Sequence, residues 1–267
     1  MLEDGSITQA EFDRLVYLSK KETDSLAINI LTSFGVLAVT VGVIALEPNL
    51  LLGTTLAAAM TLIGLYVNYQ HSEQWSILGN IMILVGSLGT AAGLVIAFEN
   101  LAIFLLIAAL FALCGVLARS GLLIAFSALA IAPLVQIGTG YGFATYSLFV
   151  QQPIITIVVY GTLSLGAYQL SRRLSAEFER LAIIYSRVSL VMVNFGFWVG
   201  SLWGDRLFDT WFTEGFLAFA WAIGLISTGV WAARRGKRFV VNTVAAFGGI
   251  HFYTQWFVFI GYEPEGI

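Results

Sequence analysis

The side chains best suited to chemistry lie in apolar stretches. His251, Tyr253 and Gln255 follow one another closely near the end of the chain, and the amides Asn194 and Asn80 lie within earlier apolar runs. His251 is the group among them that titrates near neutral pH. Neutral polar groups in apolar helices either join helices by hydrogen bonds or line a hydrated or lipid-filled cavity. We take these five residues as a candidate cavity.

Residues for catalysis or metal binding are scarce. Two histidines, His71 and His251, and one cysteine, Cys114, cannot form a zinc site of three or four ligands or a pair of bis-histidine haems. No G-x-S-x-G motif or phosphate-binding glycine loop is present in a polar segment, and one histidine without a deep carboxylate does not support hydrolysis. We therefore expect no enzymatic activity, no catalytic residue, no bound metal and no cofactor.

Charged side chains are missing from the middle of the apolar stretches. None of the 16 Asp and Glu residues lies there, and no Lys does. Ionisable groups inside a membrane are costly and are tolerated chiefly where they function, as in proton and sodium coupling. The sequence therefore disfavours a carboxylate-driven pump or antiporter, and it offers no lysine for a retinal Schiff base.

The elements that position these residues are predicted to be transmembrane helices. Of the 267 residues, 58% are hydrophobic and 11% charged, with a mean hydropathy of +0.87, whereas soluble proteins have roughly 25% charged residues. A crossing needs about 20 apolar residues. On this rule the predicted spans are 26–46, 50–69, 76–98, 101–118, 121–138, 153–170, 183–203, 215–233 and 239–260.

The predicted fold class is an all-α polytopic transmembrane bundle of about nine spans. A cytoplasmic segment, 1–25, precedes the transmembrane domain, 26–262, and an acidic tail, 263–267, follows it. With the N-terminus inside, twelve of the thirteen Lys and Arg residues fall inside or at inner span ends. Arg206 alone falls outside, as expected when cations are retained in the cytoplasm. The last span is the most polar, and a re-entrant segment is the alternative.

Two motifs imitate known ion sites. Asp4–Phe12 resembles the second half of a calcium-binding loop, but the first half is missing, so we predict a helix capped by Thr8 and an amphipathic helix over 8–20. Gly138–Gly142 resembles a potassium-channel filter without the pore helix that such a filter needs. This glycine-rich segment is predicted to form an outer turn.

The ends of the spans carry amphipathic residues. Residues 174–188 form either an interfacial amphipathic helix or a cytoplasmic extension of the seventh span. Gly204–Phe212 mixes charged and bulky apolar groups and is predicted to lie on the outer surface. Trp75, Trp203 and Trp211 occur at span ends, where indole rings are favoured.

Glycines spaced four residues apart predict close helix packing. Gly89 and Gly93 lie in the third span, and Gly196, Gly200 and Gly204 in the seventh. Small residues at this spacing share a helix face and let two backbones approach. The partner is either another helix of this chain or a second copy.

Both ends of the chain show a family resemblance. The opening Gly5-Ser6-Ile7-Thr8-Gln9-Ala10-Glu11 and the closing Phe252-Tyr253-Thr254-Gln255-Trp256-Phe257 are similar to those of a family of bacterial multi-span membrane proteins classed only as a domain of unknown function. The resemblance implies a bacterial inner-membrane protein and no mechanism. It carries no catalytic or binding residues.

Two functions fit the sequence. The first is a non-enzymatic membrane protein that binds or passively conducts a small neutral or lipid-like solute through a cavity near His251. The second is an accessory or scaffold subunit of a membrane complex, whose polar residues only join helices. The expected partners are membrane lipids and either a second copy or another membrane subunit, and no nucleic acid.

Overall fold

The computed structural model describes residues 49–70, 75–142, 145–205 and 212–259, together with positions 35 and 38. The chain divides into two compact units between Glu99 and Asn100. The predictions for the N-terminal segment 1–25, the first span, Trp211 and the acidic tail fall outside the described residues.

The described chain is mostly helical. The first unit contains helices α1 (Leu50–Gln70) and α2 (Ser76–Ala97). The second unit contains, in order, α3 (Ile103–Leu117), α4 (Gly121–Leu129), a 3₁₀ turn (Ala132–Val135), strands β1 (Ile137–Gly142) and β2 (Thr145–Val150), and helices α5 (Pro153–Ser171), α6 (Ala176–Trp203), α7 (Glu214–Arg234) and α8 (Arg238–Phe259).

Five described helices, α1, α2, α5, α6 and α7, are long and apolar enough to cross a membrane. This confirms the prediction of a helical protein of membrane type. Helix α3 has 15 residues, or about 22 Å at 1.5 Å per residue, which is less than the roughly 30 Å of a hydrocarbon core. Helix α8 has 22 residues, but its most apolar stretch is more polar than those of these five helices. The total of nine spans stays a prediction.

The prediction of one helical span over 121–138 is wrong. Helix α4 ends at Leu129, the 3₁₀ turn includes Pro133, and Gln136 adopts a left-handed φ of 57°. Proline ends helices because it lacks an N–H donor and clashes with the preceding turn. The chain then forms an antiparallel hairpin in which Ile137 pairs with Val150. The all-α class therefore needs this two-stranded sheet added.

The glycine-rich segment Gly138–Gly142 is a strand rather than the predicted outer turn. It forms β1 and pairs with β2 through to the Gly142–Thr145 pair. Thr and Tyr alternate with the glycines, and β-branched and aromatic residues favour strands. The hairpin's first and last residues, Ile137 and Val150, are buried against the core of the second unit.

Helix α6 decides between the two predictions for residues 174–188. It runs without interruption for 28 residues from Ala176, or about 42 Å, so this segment extends the span instead of forming a separate interfacial helix. Glu177 and Glu179 occupy its first turn, where carboxylates interact favourably with the helix dipole.

Helices α1 and α2 form a hairpin with backbone-to-backbone contact at glycines. A Cβ added at Gly64 would lie 2.8 Å from the carbonyl oxygen of Gly79, and one added at Gly86 would lie 2.6 Å from that of Ala57. Any side chain at either position would push the helices apart, since backbone atoms cannot rotate away. The sequence analysis did not single out these three glycines.

The predicted packing glycines have varied surroundings. In α2, Gly89 faces the methyl group of Ala57, and Gly93 faces the side chain of Thr54. In α6, a Cβ on Gly196 would lie 3.1 Å from Thr156 and one on Gly200 would lie 2.8 Å from Leu217. All four neighbours belong to other helices of the same chain.

The third glycine of α6 ends the helix. Gly204 has a φ of +67°, which L-residues rarely adopt, and its N–H donates to the carbonyl of Gly200. A Cβ there would lie at ordinary contact distance, 3.6 Å, from its nearest neighbours. The requirement for glycine at this position is therefore conformational.

The residue after Gly204 is a buried carboxylate. Asp205 belongs to the segment that is predicted to lie on the outer surface, and its side chain is 1% exposed. Its Oδ2 atom accepts a hydrogen bond of 2.8 Å from the backbone N–H of Ile154 in the first turn of α5. Free N–H groups and the helix dipole both favour a carboxylate at that end. Asp205 thus ties the end of α6 to the start of α5.

The α1–α2 contact can be tested with Gly86→Ala. We expect the added methyl group to lower the free energy of unfolding by about 1–3 kcal/mol through overpacking, despite the roughly 1 kcal/mol by which alanine favours a helix. Gly166→Ala in α5 is the matched control, since nothing lies within 4 Å of its added Cβ. Unfolding in detergent micelles, followed by tryptophan fluorescence, measures both; equal loss in both variants contradicts the contact.

Candidate functional site

Helices α6, α7 and α8 of the second unit meet around an aromatic cluster. Trp221 of α7 is 1% exposed, and its ring centroid lies 6.4 Å from that of Phe247 in α8. Phe195 of α6 contacts Phe247 edge to face at 5.7 Å. Edge-to-face contacts of this kind add to the stabilisation from burial. The cluster holds the three helices at fixed separations and so positions the polar groups beside it.

Asn194 is the central polar residue of this cluster. Its Oδ1 accepts a buried hydrogen bond of 3.0 Å from Nε1 of Trp221. Its Nδ2 donates to the carbonyl oxygen of Leu190, one turn earlier in α6, at 2.9 Å. Both ends of the amide are therefore used, and one of the two bonds joins α6 to α7.

His251 packs against the other side of the same indole. The ring centroids of His251 and Trp221 are 4.8 Å apart, with an interplanar angle of 75°. The Nδ1 atom of His251 is buried and has no hydrogen-bond partner in the described structure. A buried polar nitrogen without a partner costs free energy, so a hydrogen bond to this atom would stabilise the site.

Gln255 lies one turn beyond His251 on α8. Its Nε2 donates to Oγ of Ser201 in α6 at 3.4 Å, and Ser201 in turn donates to the carbonyl oxygen of Trp198 at 2.8 Å. Trp198 has a buried Nε1 without a hydrogen-bond partner in the described structure. The Gln255–Ser201 bond joins α8 to α6.

Two of the five predicted cavity residues are not part of this cluster. Tyr253 is 64% exposed, and its ring contacts Phe257 of the same helix at 4.6 Å. Asn80 belongs to the first unit, where its Oδ1 accepts a hydrogen bond of 2.8 Å from Nδ2 of Asn68. The structure thus brings together His251, Gln255 and Asn194.

A small cavity adjoins the Asn194–Trp221 hydrogen bond. It has a volume of about 80 Å³ and lies between α6, α7 and α8. Its wall is mainly apolar, and its polar members are neutral. The lining residues are Leu190, Val193, Asn194, Phe197, Trp221, Gly224, Leu225, Thr228, Thr243 and Val244.

The sequence analysis missed three residues of this site. Trp221 joins Asn194, His251 and the cavity, while Thr228 and Thr243 supply hydroxyls to the wall. One signal was available, because Trp221 lies well inside its predicted span and interface anchoring does not explain it there. The threonines carried no such signal, since threonine hydroxyls commonly bond to their own helix, as Thr243 does to Phe239.

Comparison with known proteins identifies no relative: no family model, no curated protein and no solved structure matches this chain. Within the described ranges, no group of three or more His, Cys, Asp or Glu residues is placed to hold a metal ion.

The bond between Asn194 and Trp221 can be measured by a double-mutant cycle. Asn194→Ala leaves a buried indole N–H unpaired and should cost about 1–3 kcal/mol of unfolding free energy. Combining it with Trp221→Phe should cost less than the sum of the single changes, with a coupling on the order of 1 kcal/mol.

Trp221→Phe with Thr162→Val is the control cycle. The Thr162 hydroxyl bonds to its own helix, α5, and the residue does not line the cavity, so these two changes should add. Reversible unfolding in micelles gives all the values. Additive effects for Asn194 and Trp221 would show that the bond contributes nothing to stability.

Proposed function

We propose that this chain is a non-enzymatic polytopic membrane protein that binds or passively conducts a small neutral solute between α6, α7 and α8. The observation that carries the proposal is the cavity of about 80 Å³ beside the Asn194–Trp221 bond. Ligand sites are commonly apolar cavities with a few polar groups that orient the ligand. Asn194, Thr228 and Thr243 are polar residues of this wall.

The cavity bears on the class of solute. One water molecule needs only about 10–15 Å³ of such cavity volume, so a cavity of about 80 Å³ admits several waters or a small polar solute. The lining contains no charged side chain. Of the small neutral and lipid-like solutes that the sequence allows, we propose the small neutral class.

The proposal includes a location in a bacterial inner membrane with the N-terminus in the cytoplasm. Five described helices of sufficient length and apolarity support a membrane location. The resemblance of both chain ends to bacterial multi-span proteins and the retention of cations on one side support the compartment and orientation.

Gly224→Leu tests the cavity. Gly224 lines it, and nothing lies within 4 Å of an added Cβ, so a leucine can occupy the space without displacing a helix. We expect uptake of urea or glycerol into reconstituted liposomes, measured by stopped-flow light scattering, to fall to the rate of protein-free vesicles. Gly166→Leu also adds a leucine in open space and should leave uptake unchanged; equal uptake by both variants overturns the proposal.

The alternative is an accessory or scaffold subunit of a membrane complex. It is favoured by the number of polar side chains already used between elements, such as Tyr160 to the carbonyl of Ala128 at 3.0 Å and Ser164 to that of Ser186 at 2.9 Å. His251→Ala separates the two functions. Altered liposome uptake supports the solute proposal, whereas unchanged uptake with loss of a co-purifying stoichiometric partner supports the scaffold.

A further inference from the structure

All the described cations of the second unit lie at one end of it. Most of them lie at or just after the ends of α5 and α7, or in the first turns of α6 and α8. Arg187 lies three turns into α6, against Phe239 at the start of α8. Arg119 joins them through a 3.0 Å ion pair to Glu177 and a hydrogen bond from Arg180. The set is Arg119, Arg172, Arg173, Arg180, Arg187, Arg234, Arg235, Lys237 and Arg238. Among the described residues, this end contains nine cations and two acids, Glu177 and Glu179, a surplus of seven positive charges. We call it the basic end.

The cations of the basic end are accessible. The exposed ones include Arg172, Arg173, Arg234, Arg235 and Lys237. The ion pair found among the described residues at this end joins Arg119 to Glu177, so it involves none of these five. Helix α7 ends in a tight turn in which Gly236 has a φ of +63° and the N–H of Lys237 returns to the carbonyl of Ala232. This turn brings the cations on either side of it close together.

Aromatic rings lie directly beside these charges. The ammonium nitrogen of Lys237 is 6.0 Å from the ring centre of Tyr168 in α5, and the rings of Tyr168 and Trp231 meet edge to face at 6.3 Å. On the other side, the guanidinium of Arg187 lies 4.7 Å from the ring centre of Phe239. Tyr and Trp concentrate at the boundary between hydrocarbon and headgroups, which places the neighbouring cations at headgroup depth.

From this arrangement we propose that the basic end binds the phosphate headgroups of anionic phospholipids, with the corner formed by Tyr168, Trp231, Arg234, Arg235 and Lys237 as the principal site. The cations attract the phosphate, and the half-exposed indole of Trp231 offers apolar surface to the first part of the acyl chain. A soluble phosphate would use the charges but leave the apolar surface uncovered, so the combination favours a lipid.

The test uses the full chain in nanodiscs of phosphatidylcholine that contain a minor fraction of phosphatidylglycerol. Native mass spectrometry measures how strongly phosphatidylglycerol is enriched among the lipids retained by the protein. The variant Arg234→Gln/Arg235→Gln/Lys237→Gln removes three charges, and Arg234→Lys/Arg235→Lys/Lys237→Arg keeps them at the same positions. We expect the glutamine variant to lose the enrichment by at least about tenfold and the charge-retaining variant to preserve it.

The remaining outcomes also decide the question. Equal enrichment in the wild type and the glutamine variant overturns the proposal. So does displacement of phosphatidylglycerol by inorganic phosphate at matched ionic strength, since the site would then be one for a free anion. If the glutamine variant does not fold, the wild type alone decides, because headgroup binding must weaken steeply as salt is raised and salt-insensitive enrichment rejects it.

Discussion

A hydrocarbon environment offers no hydrogen-bond partners, and this constraint explains most of the contacts in the structure. A polar side chain on a membrane helix must bond to its own backbone, to a neighbouring helix or to something held between helices. Asn68 and Asn80 satisfy each other within the first unit, and the hydroxyl of Tyr160 reaches the backbone at Ala128 in the second. The glycines of α1 and α2 allow the helices to come close enough for such short bonds.

The region between α6, α7 and α8 satisfies this constraint only in part. Asn194 and Trp221 bond to each other, yet the nearby nitrogens of His251 and Trp198 are buried without partners, and a cavity adjoins the same indole. Unpaired buried groups are costly, and in natural structures they often mark a position for water or a ligand. Neither nitrogen belongs to a residue that lines the cavity, so the proposal of a small polar solute rests on the cavity and its neutral polar wall.

Charged side chains are concentrated at the ends of the helices. The described cations of the second unit gather at one end, while the buried carboxylate of Asp205 lies where α6 ends and α5 begins. Asp205 sits at a helix N-terminus, where its charge is favourable, and the exposed cations sit where headgroups and water can solvate them. The low charge between these ends leaves the helices free to pack through apolar and neutral polar contacts.

The sequence by itself determined several of the helices and their ends: the predicted spans 50–69, 153–170 and 215–233 agree with α1, α5 and α7 to within one residue, because length and apolarity are properties of a local run. It did not determine the hairpin within 121–138, the burial of Asp205, or the bond between Asn194 and Trp221. Those depend on how each helix is rotated and which neighbour it meets. Tyr253 and His251, two residues apart on α8, therefore differ in surroundings although their sequence context is alike.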